Sequence, residues 1–263
     1  MLSDEAVTRA VEQFWSSSGQ LDRLDGGLLV RHQAAPTHPL GTFLCRVRVQ
    51  TVAELDTLVG DVSDLLAGPA ARVLVDPATA PFVEAELTVL DWLLETQLQL
   101  VLPATEALAH PGDGLGWEFV VVRTDDHWAA VVELFRLDHV EEDRRLGRPA
   151  RQPGATAEAV ALRRALGEEV EYLLAQQDGR PIGCIASWVG EEGVGLIEDV
   201  FVHPDHRGRR VATALLGLAV GRVRARGAGP VLIGAEPGDT PKKLYATLGF
   251  RPTAVTRSWS PPT

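Results

Sequence analysis

The stretch VFVHPDHRGRRVATALL, residues 200–216, places three arginines, Arg207, Arg209 and Arg210, around Gly208 between an apolar run and a helical pattern. A strand that ends in a Pro204-Asp205 turn and runs into a helix start would aim free backbone N–H groups and the positive end of the helix dipole at one spot. That spot suits a phosphate. Gly208 lets backbone approach a ligand closely, and the arginines supply charge for a diphosphate. A solvated helix start with ordinary surface arginines is the competing reading of the same spacing. Just upstream, GLIEDVFVHP carries two carboxylates, and strand alternation puts Glu198, Val200 and Val202 on one face and Asp199 on the other.

Other residue clusters carry less chemistry. His203 and His206 flank the Pro-Asp turn, but no third ligand lies nearby, so they read as solvated and no metal site is expected. Asp125, Asp126, Glu133, Asp138, Glu141, Glu142 and Asp143 crowd one helix, which is either a wet helix face or a surface for a cationic amine. Cys45 and Cys184 are the two cysteines, each set in an apolar run, and read as buried free thiols.

The chain has 263 residues, enough for one large or two modest domains, and 45% hydrophobic content allows a full core. Its 36 acids against 25 bases give a net charge of −11, which argues against general nucleic-acid binding. No apolar run is long enough to span a membrane, and MLSDEAVTRA carries acids where a secretory signal carries bases, so a cytoplasmic protein with no membrane partner is expected. The charge is uneven: residues 1–112 hold 15 acids and 6 bases, and most of the cations lie beyond them.

Pattern and turn signals give an α/β order with mixed pairing. Before a Pro- and Gly-rich stretch at 102–116, helices are expected near 4–15, 52–66 and 81–90, and strands near 28–32, 43–49, 73–75 and 94–102. After it come strands near 117–122, 195–202 and 231–235, helices near 126–137, 156–166, 209–226 and 241–248, and a last extended stretch to 259. Asp178-Gly179 marks a hairpin within VEYLLAQQDGRPIGCIASWV. The domains are therefore read as 1–112 and 113–263. Residues 72–92 also align without gaps over residues 230–250, setting Val73 on Val231 and Trp92 on Phe250, each 158 positions apart (231 less 73, 250 less 92). Leu87 then stands opposite Tyr245, and nothing in the first half matches the arginine-rich turn.

VFVHPDHRGRRVATALL resembles the acyl-CoA-binding signature of the GCN5-related N-acetyltransferase (GNAT) superfamily: Arg or Gln, two residues, Gly, one residue, Gly or Ala. The pattern falls on Arg207, Arg210 and Ala212. Arg210 stands where the family has glycine, and a helical conformation would accommodate it. PKKLYATLGF, residues 241–250, resembles the family's second block, with Gly238 where many members have asparagine. The resemblance covers about 117–259. It implies an α/β (α+β) acyl-CoA N-acyltransferase fold with a mixed, largely antiparallel sheet flanked by helices, in tandem with a degenerate N-terminal copy. It implies that the backbone of Phe201 and Val202 pairs with pantetheine and that Arg207, Gly208, Arg209, Arg210, Val211, Ala212 and Thr213 hold the diphosphate of acetyl-CoA. It further implies that Tyr245 is the general acid. Acetyl transfer needs a neutral amine, and Glu198 matches the basic glutamate proposed in polyamine-type members. The expected function is transfer of an acetyl group to a primary amine of a small molecule or peptide, with a homodimer open to it. A catalytically silent acyl-CoA-binding or scaffolding protein is the alternative, favoured by Arg210 and the absent asparagine.

Overall fold

In a computed structural model, residues 2–66, 71–109, 116–238 and 240–262 are described. The expected boundary between residues 112 and 113 lies outside them. The first half contributes α1 (Asp4–Ser16), β1 (Gln20–Leu24), β2 (Gly27–Arg31), β3 (Thr42–Cys45), α2 (Val52–Asp61), α3 (Ser63–Leu66), β4 (Ala71–Val75), α4 (Pro81–Val89) and β5 (Leu93–Leu102). The second contributes β6 (Glu118–Val121), α5 (Asp125–Arg145), α6 (Pro153–Ala165), β7 (Glu171–Gln177), β8 (Arg180–Val189), β9 (Gly195–Val202), a 3-10 turn at Pro204–His206, α7 (Val211–Ala225), β10 (Val231–Ala235), α8 (Pro241–Thr247) and β11 (Arg251–Ser260).

The eleven strands of the described residues form one sheet in the order β1-β2-β3-β4-β11-β5-β10-β9-β8-β7-β6. Pairing is antiparallel except at β3/β4 and β9/β10, so the mixed, largely antiparallel expectation holds. The halves exchange strands: β5 of the first half pairs with β10 of the second, while β11 of the second pairs with β4 of the first. The two exchanged strands pair with each other along their length. Each has ten residues, and they lie 158 positions apart (251 less 93, 260 less 102), the spacing of the sequence alignment.

Strand alternation sorts the core. Tyr172 and Leu174 of β7 face a cluster that includes Phe14 and Trp15 of α1 and Phe135 of α5. Leu173 and Ala175 face the opposite cluster, built on Leu215 and Val220 of α7 and Tyr245 of α8. Helices therefore cover both faces of this half. The first half has its own cluster, in which Leu55 of α2 and Val83 and Leu87 of α4 meet Val73, Val75 and Trp259.

Local chemistry sets the element ends. Ser3, Thr51 and Thr124 cap α1, α2 and α5 with their side chains, and proline opens α4, α6 and α8. The Asp178-Gly179 turn joins β7 to β8 with both residues at positive φ, +50° and +73°, as a two-residue hairpin of this hand requires. α5 runs past the expected 137 to Arg145. Its last turn is tied down where the Asp143 carboxylate accepts from the Arg151 backbone N–H at 2.7 Å and from its guanidinium, and Arg144 and Arg145 complement the dipole. The helix expected at 52–66 breaks after Asp61. The strand expected at 43–49 stops at Cys45, because Arg46 turns to φ +51° with its guanidinium on Glu12. β1 was not anticipated: its QLDRL is polar, and only Asp25-Gly26, the two-residue link to β2, signals it.

Candidate active site

β9 and β10 pair in parallel only from Gly195 to Ile197 against Val231 to Ile233, and beyond that point they part. The parting begins at a bulge where Asp199 adopts φ +54° and the β8/β9 register shifts between Cys184 and Ala186. Asp199 is held there by a fork from Arg163, whose Nε and Nη2 donate to its two carboxylate oxygens at 2.9 Å each, and by the Tyr172 hydroxyl. The Arg163 guanidinium lies 4.8 Å from the Phe135 ring centre and 5.3 Å from that of Trp15. Burial and this cation together hold the neighbouring His38 imidazole down at about 3, so it is neutral at ordinary pH.

The gap between the strands opens into a cavity of about 1050 Å³. Asp199, Val200, Phe201 and Val202 line it from β9, Gly234 and Ala235 from β10, and Tyr245 from α8. Tyr245 is buried, with its ring 6.1 Å from that of Phe250. Asp138, itself exposed, and the half-buried Glu141 and Glu142 line the cavity from α5, while Asp125, Asp126 and Glu133 lie outside it as the wet face that such runs usually are. His206 is half-buried and lines the cavity, which differs from the solvated expectation. Among the described residues no group of His, Cys, Asp or Glu has the arrangement to hold a metal ion.

The basic turn forms the cavity's other end, through Arg207, Gly208, Arg210, Val211, Ala212 and Thr213. α7 starts at Val211 rather than 209, because Arg210 sits at φ +68°, ψ +14° in the left-handed region and makes no side-chain cap. The expectation that a right-handed helical conformation accommodates this arginine is therefore corrected. The backbone here is one that glycine adopts freely and arginine at a cost of about 1–2 kcal/mol. With no side-chain cap at Arg210, the first-turn amides of α7 remain able to bind an anion. Gly208 is also left-handed, at φ +73°, and a Cβ placed on it would meet nothing within 4 Å, so the turn has an open side. Arg207 donates through Nε to the Val202 carbonyl at 3.1 Å and forms an ion pair with Glu141 across the cavity mouth, while Arg209 is exposed.

Glu198 does not line this cavity. It lines a second one of about 460 Å³, bounded by α1, β4, β5 and β11 as well as β9, and the two share Gln97 and Glu236. The expected alternation through 198–202 is broken by the bulge. The Glu198 Oε1 is buried with no partner, and burial, reinforced by the Asp199 charge, pushes its carboxyl up to about 8. Gln97 closes over Gly234, where a Cβ would lie 2.6 Å from the amide nitrogen.

The first half repeats the parting of the strands without the ligand chemistry. β3 and β4 stop pairing at Leu44 and Val73 as β9 and β10 do at Ile197 and Ile233, and two residues later Arg46, like Asp199, turns to positive φ. Buried Cys45 then stands in the place of Glu198. The start of α2 is closed by a reciprocal cap, with Thr51 Oγ1 accepting from the Glu54 N–H at 3.2 Å and the Glu54 carboxylate accepting from Gln50 N–H at 2.7 Å. The cap takes up the Glu54 amide and sets a negative charge where a diphosphate would sit.

Residues 128–250 match the Acetyltransferase (GNAT) family. An uncharacterized N-acetyltransferase from Methanocaldococcus jannaschii is 30% identical over 100 residues, which are 35% of this chain and 44% of that protein. A GCN5-related N-acetyltransferase from Kribbella flavida has the same fold, with a TM-score of 0.65 at 16% identity over 100% of this chain and 97% of its own. A functionally unknown conserved protein from Staphylococcus epidermidis gives 0.66 at 12% identity over 94% and 96%. A tandem GNAT protein from the clavulanic acid biosynthesis pathway gives 0.58 at 18% identity over 92% and 82%.

Proposed function

We propose, from the premise that residues 128–250 are a domain of the GNAT family, that this chain is an N-acetyltransferase carrying an acetyl group from acetyl-CoA to a primary amine. The observation that carries this reading is one cavity holding both the uncapped, arginine-flanked start of α7 and Tyr245, with the unpartnered Glu198 carboxyl on the adjoining cavity. The backbone of Phe201 and Val202 would hold the pantetheine arm. Arg207, Gly208, Arg209, Arg210 and the amides of Val211, Ala212 and Thr213 would hold the diphosphate.

The reaction assigns one proton movement to each end. Glu198 takes a proton from the acceptor ammonium, leaving a neutral amine. A base with a pKa of about 8 is ionised in part at neutral pH and strong enough to deprotonate an amine in its own pocket. The nitrogen bonds to the thioester carbon, the carbon–sulfur bond breaks, Tyr245 donates its hydroxyl proton to the departing thiolate, and the second proton shed by the new amide nitrogen restores the tyrosine hydroxyl. No metal is invoked.

The first half serves as a wall and a sheet partner, and the enzyme reading is preferred to the silent scaffold because the acid and base candidates lie on two adjoining cavities that share Gln97 and Glu236. No described helix is long and apolar enough to cross a membrane, and we place the activity in the cytoplasm. The test is thiol release from acetyl-CoA by the full chain against pooled amines, amino acids, aminoglycosides and peptides. Turnover lowered at least about tenfold by Tyr245→Phe supports the reading, and absence of turnover with every pool while CoA still binds would favour the silent protein.

A further inference from the structure

The smaller cavity is built by both halves, with Trp15 of α1, Leu74 of β4, Gln97 of β5, Glu198 of β9 and Ser258 of β11 on its walls. Two of its lining residues hold buried polar atoms without a partner: Glu198 Oε1 and Arg72 Nη1. They are opposite in kind, one an acceptor that needs a donor and the other a cationic donor that needs an acceptor. Each such orphan costs about 1–3 kcal/mol, so a ligand that satisfied both would be favoured over one that met either alone.

The other charges on this wall are already matched. Glu12 pairs with Arg46, Asp76 with Arg48, Glu236 with Arg145, and Arg257 with Glu84. Arg72 itself spends Nη2 on Glu95 at 3.0 Å, which fixes the guanidinium and leaves Nη1 over; the side chain is only 12% exposed. A polycation would find one unsatisfied carboxylate among neutralised ones, and a plain amine would leave Arg72 as it is.

We infer that the smaller cavity binds an amino acid, its ammonium on Glu198 and its carboxylate on Arg72. This rests on the N-acetyltransfer reading and names the acceptor class. The acceptor nitrogen then reaches the thioester from the side opposite the diphosphate turn, past Gln97 and Glu236, which line both cavities. An ammonium at Glu198 would also favour the ionised carboxylate, the form that can accept a proton.

Calorimetry on the full chain saturated with CoA, titrated with each proteinogenic L-amino acid and with the decarboxylated amine of each, tests the assignment. At least one amino acid should bind about tenfold or more tightly than its amine. Arg72→Gln should remove that difference, and Glu198→Gln should weaken acid and amine alike. No binding by any amino acid, or binding in which the amine matches the acid, overturns the site, as does a preference that survives Arg72→Gln. The wild-type comparison decides even where Arg72→Gln does not fold. Because binding is read apart from turnover, the two proposals fail separately. Amino-acid binding with no thiol release from acetyl-CoA removes the transfer reaction and keeps the site; thiol release to simple amines with no preference for a carboxylate does the reverse.

Discussion

Glu198 and Asp199 are neighbours in the chain but face different cavities, and one is unpartnered where the other is fully bound. Asp199 accepts both arms of the Arg163 guanidinium and the Tyr172 hydroxyl on the larger cavity, while Glu198 Oε1 is buried without a partner on the smaller. The left-handed turn at Asp199 separates them.

Their substitutions should therefore differ in kind. Asp199→Asn leaves a buried guanidinium without its counter-charge and should destabilise the fold by about 3–5 kcal/mol, read by denaturant unfolding. Glu198→Gln should leave the fold intact and lower kcat. Burial raises the folded-state pKa of Glu198 from 4.5 to about 8. Between those values the folded state holds a proton that the unfolded state has lost, so this group's contribution falls as pH rises and levels off above about 8. Thermal melts should show Glu198→Gln gaining on the wild type across that window, and the wild-type rate should climb through about pH 8 while the variant's does not. Parallel pH profiles for both would remove Glu198 as the base.

Tyr245→Phe keeps the buried ring and its contact with Phe250. Loss of general acid help is worth about a hundredfold to ten-thousandfold, so kcat should fall at least about tenfold with acetyl-CoA affinity within a few fold. A wild-type rate would mean that water protonates the thiolate or that the reaction occurs elsewhere.

Arg210→Gly should raise stability by about 1 kcal/mol, since it relieves a left-handed backbone at φ +68° at a residue that makes no cap. CoA affinity should change by less than about tenfold. A hundredfold loss in titration would make Arg210 a principal anchor.

Arg207 is held by Glu141 at the mouth of the larger cavity and must leave it to meet a diphosphate. Glu141→Gln should tighten CoA binding a few fold, within the roughly 1 kcal/mol that exposed pairs are worth. Arg207→Ala combined with Arg209→Ala should weaken binding strongly, and an unchanged affinity would move the diphosphate away from the turn.

Residues 113–263 expressed alone should not fold cooperatively. β11 pairs only with β4 and β5, both of which that fragment lacks, and β10 keeps only its short parallel pairing with β9. A sharp melting transition for the fragment would show that the second half can close its own sheet.

The second half was readable because its signals are local. An Asp-Gly turn, a Gly-Arg-Arg helix entry and a run of β-branched strands each fix one element, and their order fixes the cleft. What the sequence hid lies in long-range partners. Nothing in LLETQLQLVL says that it joins the other half's sheet, and nothing in IEDV says that an arginine and a tyrosine will hold Asp199 at a bulge and turn Glu198 away from the cavity that holds Tyr245. The left-handed Arg210 was missed for a different, local reason: the turn just before it sets its φ. The repeat at 158 positions was visible, and its meaning as an exchange was not.

That exchange has a temporal side. As the chain is made from its N-terminus, β1 to β4 can pair while β4 still waits for β11, which is synthesised after the other ten strands. Until then the growing chain carries an open, apolar strand edge, Ala71–Val75, of the kind that invites pairing with another molecule. A chain that stalls or is cut before β11 therefore keeps that edge open, and should aggregate more readily than the 263-residue chain.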